Sequence, residues 1–312
     1  AKGVIKLLAS LPDFCVLAFG SETGDKQALL SAAQAQEDSE QENGFKATLK
    51  KYLKAGLSLT KARSQALAET GKTDTAGILS SPNDILAIEY IKAMSAFECR
   101  ADILPIQRLG AGYSDEKMLK NFSSATAIRS ALSQKKERAI KKNVPDFVFQ
   151  DLKNAVDGFV FKKIALCAAL KMPAEQMKKL TDCSEGLENR IKAFARNTTD
   201  YDEFVSKVTT KRYISSRIRR ILVSAVLEME EELVRKALRS PLYLKILAAK
   251  KDSSDKILPA LRNSAFPLLT RRSDLALMGK PASEVYAKDE LASDIFRLAA
   301  GLPNRESQLQ LI

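Results

Sequence analysis

Phe14-Cys15-Val16-Leu17-Ala18-Phe19, followed at once by Gly20-Ser21-Glu22-Thr23-Gly24-Asp25, decides the first half of the fold. Six apolar residues without polar alternation, closed by a turn-rich loop, read as a buried strand of a parallel sheet. Before it, Val4, Ile5, Leu7 and Leu8 form an amphipathic helical pattern; after it, helical patterning runs from Gly24 to Thr75. Pro82 opens another helix in the favoured first-turn position, with Ile85, Ile88, Ile91 and Met94 at helical spacing. Ala101 to Leu109, carrying Ile103, Leu104 and Ile106, reads as a second strand. Ser123-Ser124 then cap a helix through Ile128 and Leu132. Strand, helix, strand, loop, helix is the grammar of an open α/β sheet, although two strands are too few for a sheet that stands alone.

Beyond Gln134 the strand signal almost vanishes. Phe147 to Ala155, Gly158 to Leu170, Ala174 to Leu180, Leu187 to Ala195, Tyr201 to Val208, Ile214 to Leu238 and Leu242 to Lys250 all favour helices, broken at Pro145, Pro173 and Pro241. The tail reads as short helices and loops around Pro259, Pro267, Pro281 and Pro303. The fold class expected is therefore α/β followed by all-α: a partial Rossmann-like domain over 1–134 and a helical domain over 135–312. Charge follows the same division, with a net of about +1 in the first part and about +11 in the second.

Composition excludes more than it suggests. The 312 residues include no histidine, which removes Ser-His-Asp and Cys-His triads, the HExxH zinc site and every other chemistry that needs an imidazole from this chain. Cys15, Cys99, Cys167 and Cys183 are scattered, with no CxxC pair, so no metal site is expected and reduced, buried thiols are. The longest apolar runs fall far short of the ~20 residues a membrane span needs, and the N-terminus lacks a signal-peptide progression. These features together give the expectation of a cytoplasmic protein with no membrane partner. The +12 formal charge points instead to a polyanion, nucleic acid first.

Three segments can carry chemistry at the C-terminal ends of parallel strands, where α/β folds bind nucleotides. Gly20-Ser21-Glu22-Thr23-Gly24 lets backbone approach a ring or phosphate, although a plain turn explains it as well. Arg108-Leu109-Gly110-Ala111-Gly112-Tyr113 puts a cation at a strand end, suited to phosphate. Ser123-Ser124-Ala125-Thr126-Ala127-Ile128-Arg129 is a helix start, whose free N–H groups bind phosphate when one is present. The carboxylates Glu22, Asp84 and Asp115 have no spacing argument for a general base and read as surface or cap residues.

These words, with Ser81-Pro82-Asn83-Asp84-Ile85-Leu86-Ala87-Ile88-Glu89-Tyr90-Ile91-Lys92-Ala93 and Pro105-Ile106-Gln107-Arg108 in the same order, closely resemble the bacterial tRNA(Met) cytidine acetate ligases of the HIGH superfamily of nucleotidyltransferases. Ala18 to Glu22, Ser206-Lys207, Lys211-Arg212-Tyr213 and Arg217-Ile218 extend the resemblance over nearly the whole chain. It implies an ATP-dependent ligase: acetate is activated to acetyl-adenylate, and the acetyl group passes to N4 of the wobble cytidine of elongator tRNA(Met). The resemblance implies ATP contacts, with Mg2+ as counter-ion, for Gly20, Asn83, Arg108 and Leu109, and phosphate-facing positions for Ser124, Thr126 and Arg129. Family members begin with a strand and an HxGH loop absent here, and Ser114 stands where many have histidine. The expectation is that an upstream segment is missing, and that its loss bares the edge of the Phe14 to Phe19 strand.

Lys211-Arg212-Tyr213-Ile214-Ser215-Ser216-Arg217-Ile218-Arg219-Arg220 opens a predicted helix with an apolar stripe through Ile214, Ile218, Ile221, Ala225, Met229 and Leu233. Lys211, Arg212, Arg217, Arg219 and Arg220 fall off that stripe. Positive charge in the first turns opposes the helix macrodipole, so RNA phosphates are the sharper explanation and a solvated face the plainer one. Lys135, Lys136, Arg138, Lys141 and Lys142 form a second cluster. The alternatives to the ligase are a tRNA-binding fragment without turnover, or a related nucleotidyltransferase with another acid or acceptor.

Overall fold

The computed structural model describes residues 1–109, 118, 123–153, 158–302 and 310–311. The first half runs α1 (Lys2–Ala9), β1 (Val16–Ser21), α2 (Lys26–Gln41), α3 (Asn43–Lys54), α4 (Leu59–Glu69), α5 (Thr73–Ile78), α6 (Pro82–Ala96) and β2 (Asp102–Gln107). Strands β1 and β2 pair in parallel, Val16 opposite Asp102 through Ser21 opposite Gln107. The sequence expectation of two parallel strands joined through helices therefore holds.

The expected burial on both faces does not hold. Leu17 and Phe19, with Ile103 on β2, pack against Ile5, Ala93 and Met94 of α1 and α6, while Val16, Leu104 and Ile106 are exposed on the opposite face. Helices α1, α2 and α6 supply the cover on that side, so side chains alternate between cover and solvent along each strand. A neighbouring cluster of Leu29, Ala32, Phe45, Ala66, Leu67 and Ile88 ties α2 through α6 together.

The chain continues as α7 (Ala125–Ser133), α8 (Glu137–Lys141), α9 (Asp146–Leu152), α10 (Phe159–Lys171), α11 (Ala174–Met177), α12 (Leu187–Ala195), α13 (Tyr201–Val208), α14 (Ser215–Leu227) and α15 (Glu231–Arg239). Helices α7 to α9 share a small core of Ala131, Ile140 and Phe149. Helices α10 to α14 enclose a larger one, with Met177, Leu187, Ile191, Phe204, Val208, Ile218, Ile221 and Leu222 fully buried. The continuous helix expected from Ile214 to Leu238 is instead broken: Glu228 adopts a left-handed conformation at φ 50, and Met229 N–H closes back on the Ser224 carbonyl at 2.8 Å.

The last part is β3 (Leu244–Lys245), β4 (Ala248–Ala249), α16 (Lys251–Arg262), β5 (Leu268–Leu269), a 3-10 turn over Arg272–Leu277, α17 (Lys280–Ala300) and β6 (Gln310–Leu311). Three findings differ from the sequence reading. Leu242 to Lys250 is extended rather than helical, pairing Leu244 with Leu268 and Ala248 with Gln310. The longest helix, α17, lies in the tail, because Pro281 sits in its first turn and starts the helix rather than stopping it. The thiols are not uniformly buried: Cys15 and Cys167 are exposed and Cys99 is half-buried, whereas Cys183 is enclosed. Burial, with Glu188 nearby, pushes the Cys183 thiol up to about 12. No described helix is long and apolar enough to cross a membrane.

Candidate functional site

The loop after β1 and the start of α6 are locked together by two carboxylates pointing in opposite directions. Asp84 is 1% exposed. One of its oxygens accepts from the Glu22 N–H at 2.9 Å and from the Ser21 hydroxyl; the other accepts from the Thr23 N–H at 3.1 Å and the Thr23 hydroxyl at 2.6 Å. Glu22 returns the contact: its carboxylate accepts from the N–H groups of Asn83 and Asp84, both at 3.1 Å, and from the Asn83 side-chain amide at 2.6 Å. Ser81 at the N-cap makes no side-chain cap bond, so the free donors of α6 are satisfied by a residue from another segment. Charge-assisted bonds of this kind are about twice as strong as neutral ones.

The lock shapes a backbone that has little freedom. Gly24 holds φ +68, and a Cβ there would sit 2.7 Å from Gln107 Cβ, so only glycine fits where the loop crosses the end of β2. Its N–H donates to the Ser21 hydroxyl at 2.9 Å. On the other side, Arg108 donates its backbone N–H to the Ser21 carbonyl at 2.9 Å. The Arg108 side chain runs past Gly20, whose absent Cβ would lie 3.7 Å from Arg108 Cγ. The structure thus brings Gly20, Asn83 and Arg108 to one end of the two strands. Leu109 follows directly and is 74% exposed. An open cleft of about 500 Å³ adjoins this point, lined by Glu22, Thr23, Thr73, Asp74, Gly77, Ile78, Ser81 and Asp84.

Ser124 is buried and caps α7, accepting from the Ala127 N–H at 3.0 Å, as the sequence indicates. Ser123 donates its hydroxyl to Asn143 at 2.8 Å, which anchors the helix start to the segment after α8. Thr126 is half-buried and Arg129 exposed on the first turn. Gly110, Ala111, Gly112, Tyr113, Ser114 and Asp115 lie outside the described residues. The sequence expectation of surface or cap carboxylates is met by Glu22, which caps a helix remote in sequence, but not by Asp84, which is interior. The available signal was a hydroxyl-and-acid word at a strand end facing an Asn-Asp word at a helix start.

The basic segment divides by role. Lys211, Arg212 and Tyr213 precede α14 in a turn closed by Thr210 N–H to the Tyr213 carbonyl, so only Arg217, Arg219 and Arg220 ride on the helix. Arg217 is 20% exposed. It donates to the Asp182 carbonyl at 2.8 Å and the Ser184 hydroxyl at 2.9 Å. Arg212 grips Glu185 with two nitrogens at 3.2 and 2.9 Å, and Arg220 grips one oxygen of Asp182 with two nitrogens at 3.0 Å. Lys211 and Arg219 are exposed and form no ion pair among the described residues.

Among the described residues, no group of three or more His, Cys, Asp or Glu could hold a metal ion. The carboxylates nearest the β1 loop are already engaged with donors of the protein.

The HIGH Nucleotidyl Transferase family model matches residues 1–310. The tRNA(Met) cytidine acetate ligase of Caldanaerobacter subterraneus subsp. tengcongensis is 31% identical over 305 residues, covering 96% of this chain and 75% of the relative. That of Fervidobacterium nodosum is 33% identical over 288 residues, 89% of this chain and 67% of the relative. Among solved structures, apo TmcAL of Thermotoga maritima superposes with a TM-score of 0.85 at 25% identity, over 99% of this chain and 80% of its own. The same protein bound with alpha-thio ATP gives 0.80, over 98% and 76%.

Proposed function

Since the chain belongs to the HIGH nucleotidyl transferases and, within them, to the tRNA(Met) cytidine acetate ligase family, we propose that it binds ATP at the β1–α6–β2 junction and elongator tRNA(Met) on the α14 face. The reaction is ATP-dependent ligation. An acetate oxygen attacks the α-phosphorus and displaces pyrophosphate; the cytidine N4 then attacks the acetyl carbonyl, AMP leaves, and the nitrogen loses a proton. The cytoplasm, where tRNA and ATP meet, is the proposed location.

The observation that carries the reading is the lock between Glu22 and Asp84. It joins residues 62 positions apart and holds the Gly20 loop against Asn83, with Arg108 beside Gly20, at the carboxyl ends of parallel strands, the place where such sheets take nucleotides. Within it, Gly20 leaves room for the base or ribose, Asn83 offers its side-chain oxygen as acceptor while its amide nitrogen is held by Glu22, and Arg108 supplies an exposed cation. Leu109 offers an exposed apolar surface to a ring. Ser124, Thr126 and Arg129 on α7 are proposed to face the phosphates. Magnesium would arrive on the nucleotide, since the described carboxylates form no metal site of their own.

The test is ATP-dependent release of pyrophosphate in the presence of acetate, with acetylated tRNA(Met) as product. Replacing Asn83 or Arg108 by Ala should weaken ATP binding about tenfold or more, as expected for loss of a charge-assisted or buried polar contact. ATP affinity unchanged in both variants would place the nucleotide elsewhere. A second reading, RNA binding without turnover, is favoured by one observation, the absence of histidine from the 312 residues. ATP bound but not cleaved would select it. Pyrophosphate exchange independent of acetate would indicate another acid.

A further inference from the structure

Three arginines of the α14 face, Arg212, Arg217 and Arg220, are not bare. The loop Asp182-Cys183-Ser184-Glu185 lies over them, and its two carboxylates occupy the forks of Arg212 and Arg220. The loop takes an unusual path: Asp182 at φ 67 and Glu185 at φ 65 are both left-handed, a conformation disfavoured for either residue. Arg217 adds a longer ion pair to Glu185 at 3.5 Å, but the loop is also fastened by contacts that do not use the carboxylates. Arg217 donates to the Asp182 carbonyl, the Tyr213 hydroxyl donates to the Glu185 carbonyl at 2.6 Å, and Cys183 between them is buried in the helical core.

Resting on the reading of this face as an RNA interface, we propose that Asp182 and Glu185 are specificity-determining residues that stand in for two backbone phosphates, so that RNA binds by displacing them from Arg220 and Arg212.

The geometry supports this in three respects. Each carboxylate meets its arginine with two nitrogens, the arrangement a phosphodiester also accepts. Both arginines stay well exposed, at 59% and 60% of their side-chain surface, so an incoming strand reaches them without unfolding the loop. Arg217, by contrast, is only 20% exposed and donates to the Asp182 carbonyl and the Ser184 hydroxyl, which makes it the support of the surface rather than a phosphate contact. The Arg212 guanidinium holds the Glu185 carboxyl below its usual range, so the counter-charge is present at neutral pH. Exposed pairs of this type are individually weak, weak enough for a phosphate to replace them. A partner must therefore deliver phosphates at the spacing of the two forks to gain what it displaces, and loosely matched polyanions are disfavoured.

The experiment measures tRNA(Met) affinity of the full chain against salt concentration for four proteins. Asp182→Asn with Glu185→Gln removes the charges and keeps the loop, because the backbone contacts of Arg217 and Tyr213 remain. Glu175→Gln with Glu284→Gln makes the same change in net charge at exposed positions downstream of Gln134 that form no ion pair among the described residues. Arg212→Ala with Arg220→Ala tests the face itself, and the unaltered chain is the reference. The expected result is affinity raised about threefold to tenfold in the first variant, as the worth of two exposed pairs predicts. Its salt dependence should steepen by up to two phosphates. The control pair should shift much less. Equal gains in both acid variants, or no gain in the first, overturn the proposal while the arginine variant still binds weakly. If the arginine variant binds as tightly as the reference, the RNA face itself is wrong and the proposal falls with it.

Discussion

At the scale of single residues, two carboxylates do different work. Asp84 is interior and satisfies two hydroxyls and two amides of the β1 loop. Asp84→Ala leaves those donors unpaired and should cost about 2–4 kcal/mol of unfolding free energy, read from denaturant midpoints, with Asp84→Asn losing less; a loss under 0.5 kcal/mol would show that the lock is ornamental. Asp274 sits at the start of the 3-10 turn. The backbone N–H of Thr270, with that of Arg271, the Thr270 hydroxyl and the Arg271 side chain, holds its carboxyl down at about 2. A depressed value means that the folded state is favoured fully above the ordinary carboxylate range, and that this contribution disappears as pH falls from about 4 toward 2. Melting temperature followed over that window should drop less steeply in Asp274→Asn than in the unaltered chain; parallel curves would refute the assignment.

At the scale of elements, the break between α14 and α15 is the most instructive. The apolar stripe continues in register across it, so periodicity alone cannot reveal that Glu228 turns left-handed and closes the helix. Glycine is the residue usually found at such a position. Glu228→Gly should therefore stabilise the chain by about 0.5–1 kcal/mol, by removing the left-handed penalty, as measured in urea; destabilisation would mean that the side chain makes up for its strain. The same limit governs what else was legible. Both strands of the sheet, the Pro82 start of α6 and the Ser124 cap were readable because each depends on local chemistry: an unbroken apolar run, a fixed φ, a hydroxyl before a helix. The one-sided burial of β1 was not, since it depends on where distant helices settle. Nor was the Glu22–Asp84 lock, in which each residue caps a partner outside its own segment. In sequence Arg217 is indistinguishable from its neighbours, and only the fold separates this half-buried support from the exposed forks of Arg212 and Arg220.

At the scale of the whole molecule, the two halves are joined by a lysine. Lys6 of α1 donates to the Ala237 carbonyl at 2.7 Å and to that of Ser240, closing the C-terminal end of α15, where a positive charge complements the helix dipole. Its ammonium lies over the Phe266 ring, and partial burial lowers its pKa. The Ala265 N–H adds a bond to the Ser10 carbonyl at 3.2 Å. Lys6→Met keeps the stem and removes the donors; it should cost about 1–2 kcal/mol and raise amide exchange at the end of α15, while exchange in β1 and α6 stays near that of the unaltered chain. Equal exchange throughout would show that α15 needs no such cap. The Lys6 contact also sets an order of events during synthesis. Its acceptors lie 231 residues downstream, and at roughly 5–20 residues per second the ribosome needs some tens of seconds to deliver them. Once α6 has been made Ile5 can dock on it, while the ammonium beside it still waits in water for a helix not yet made.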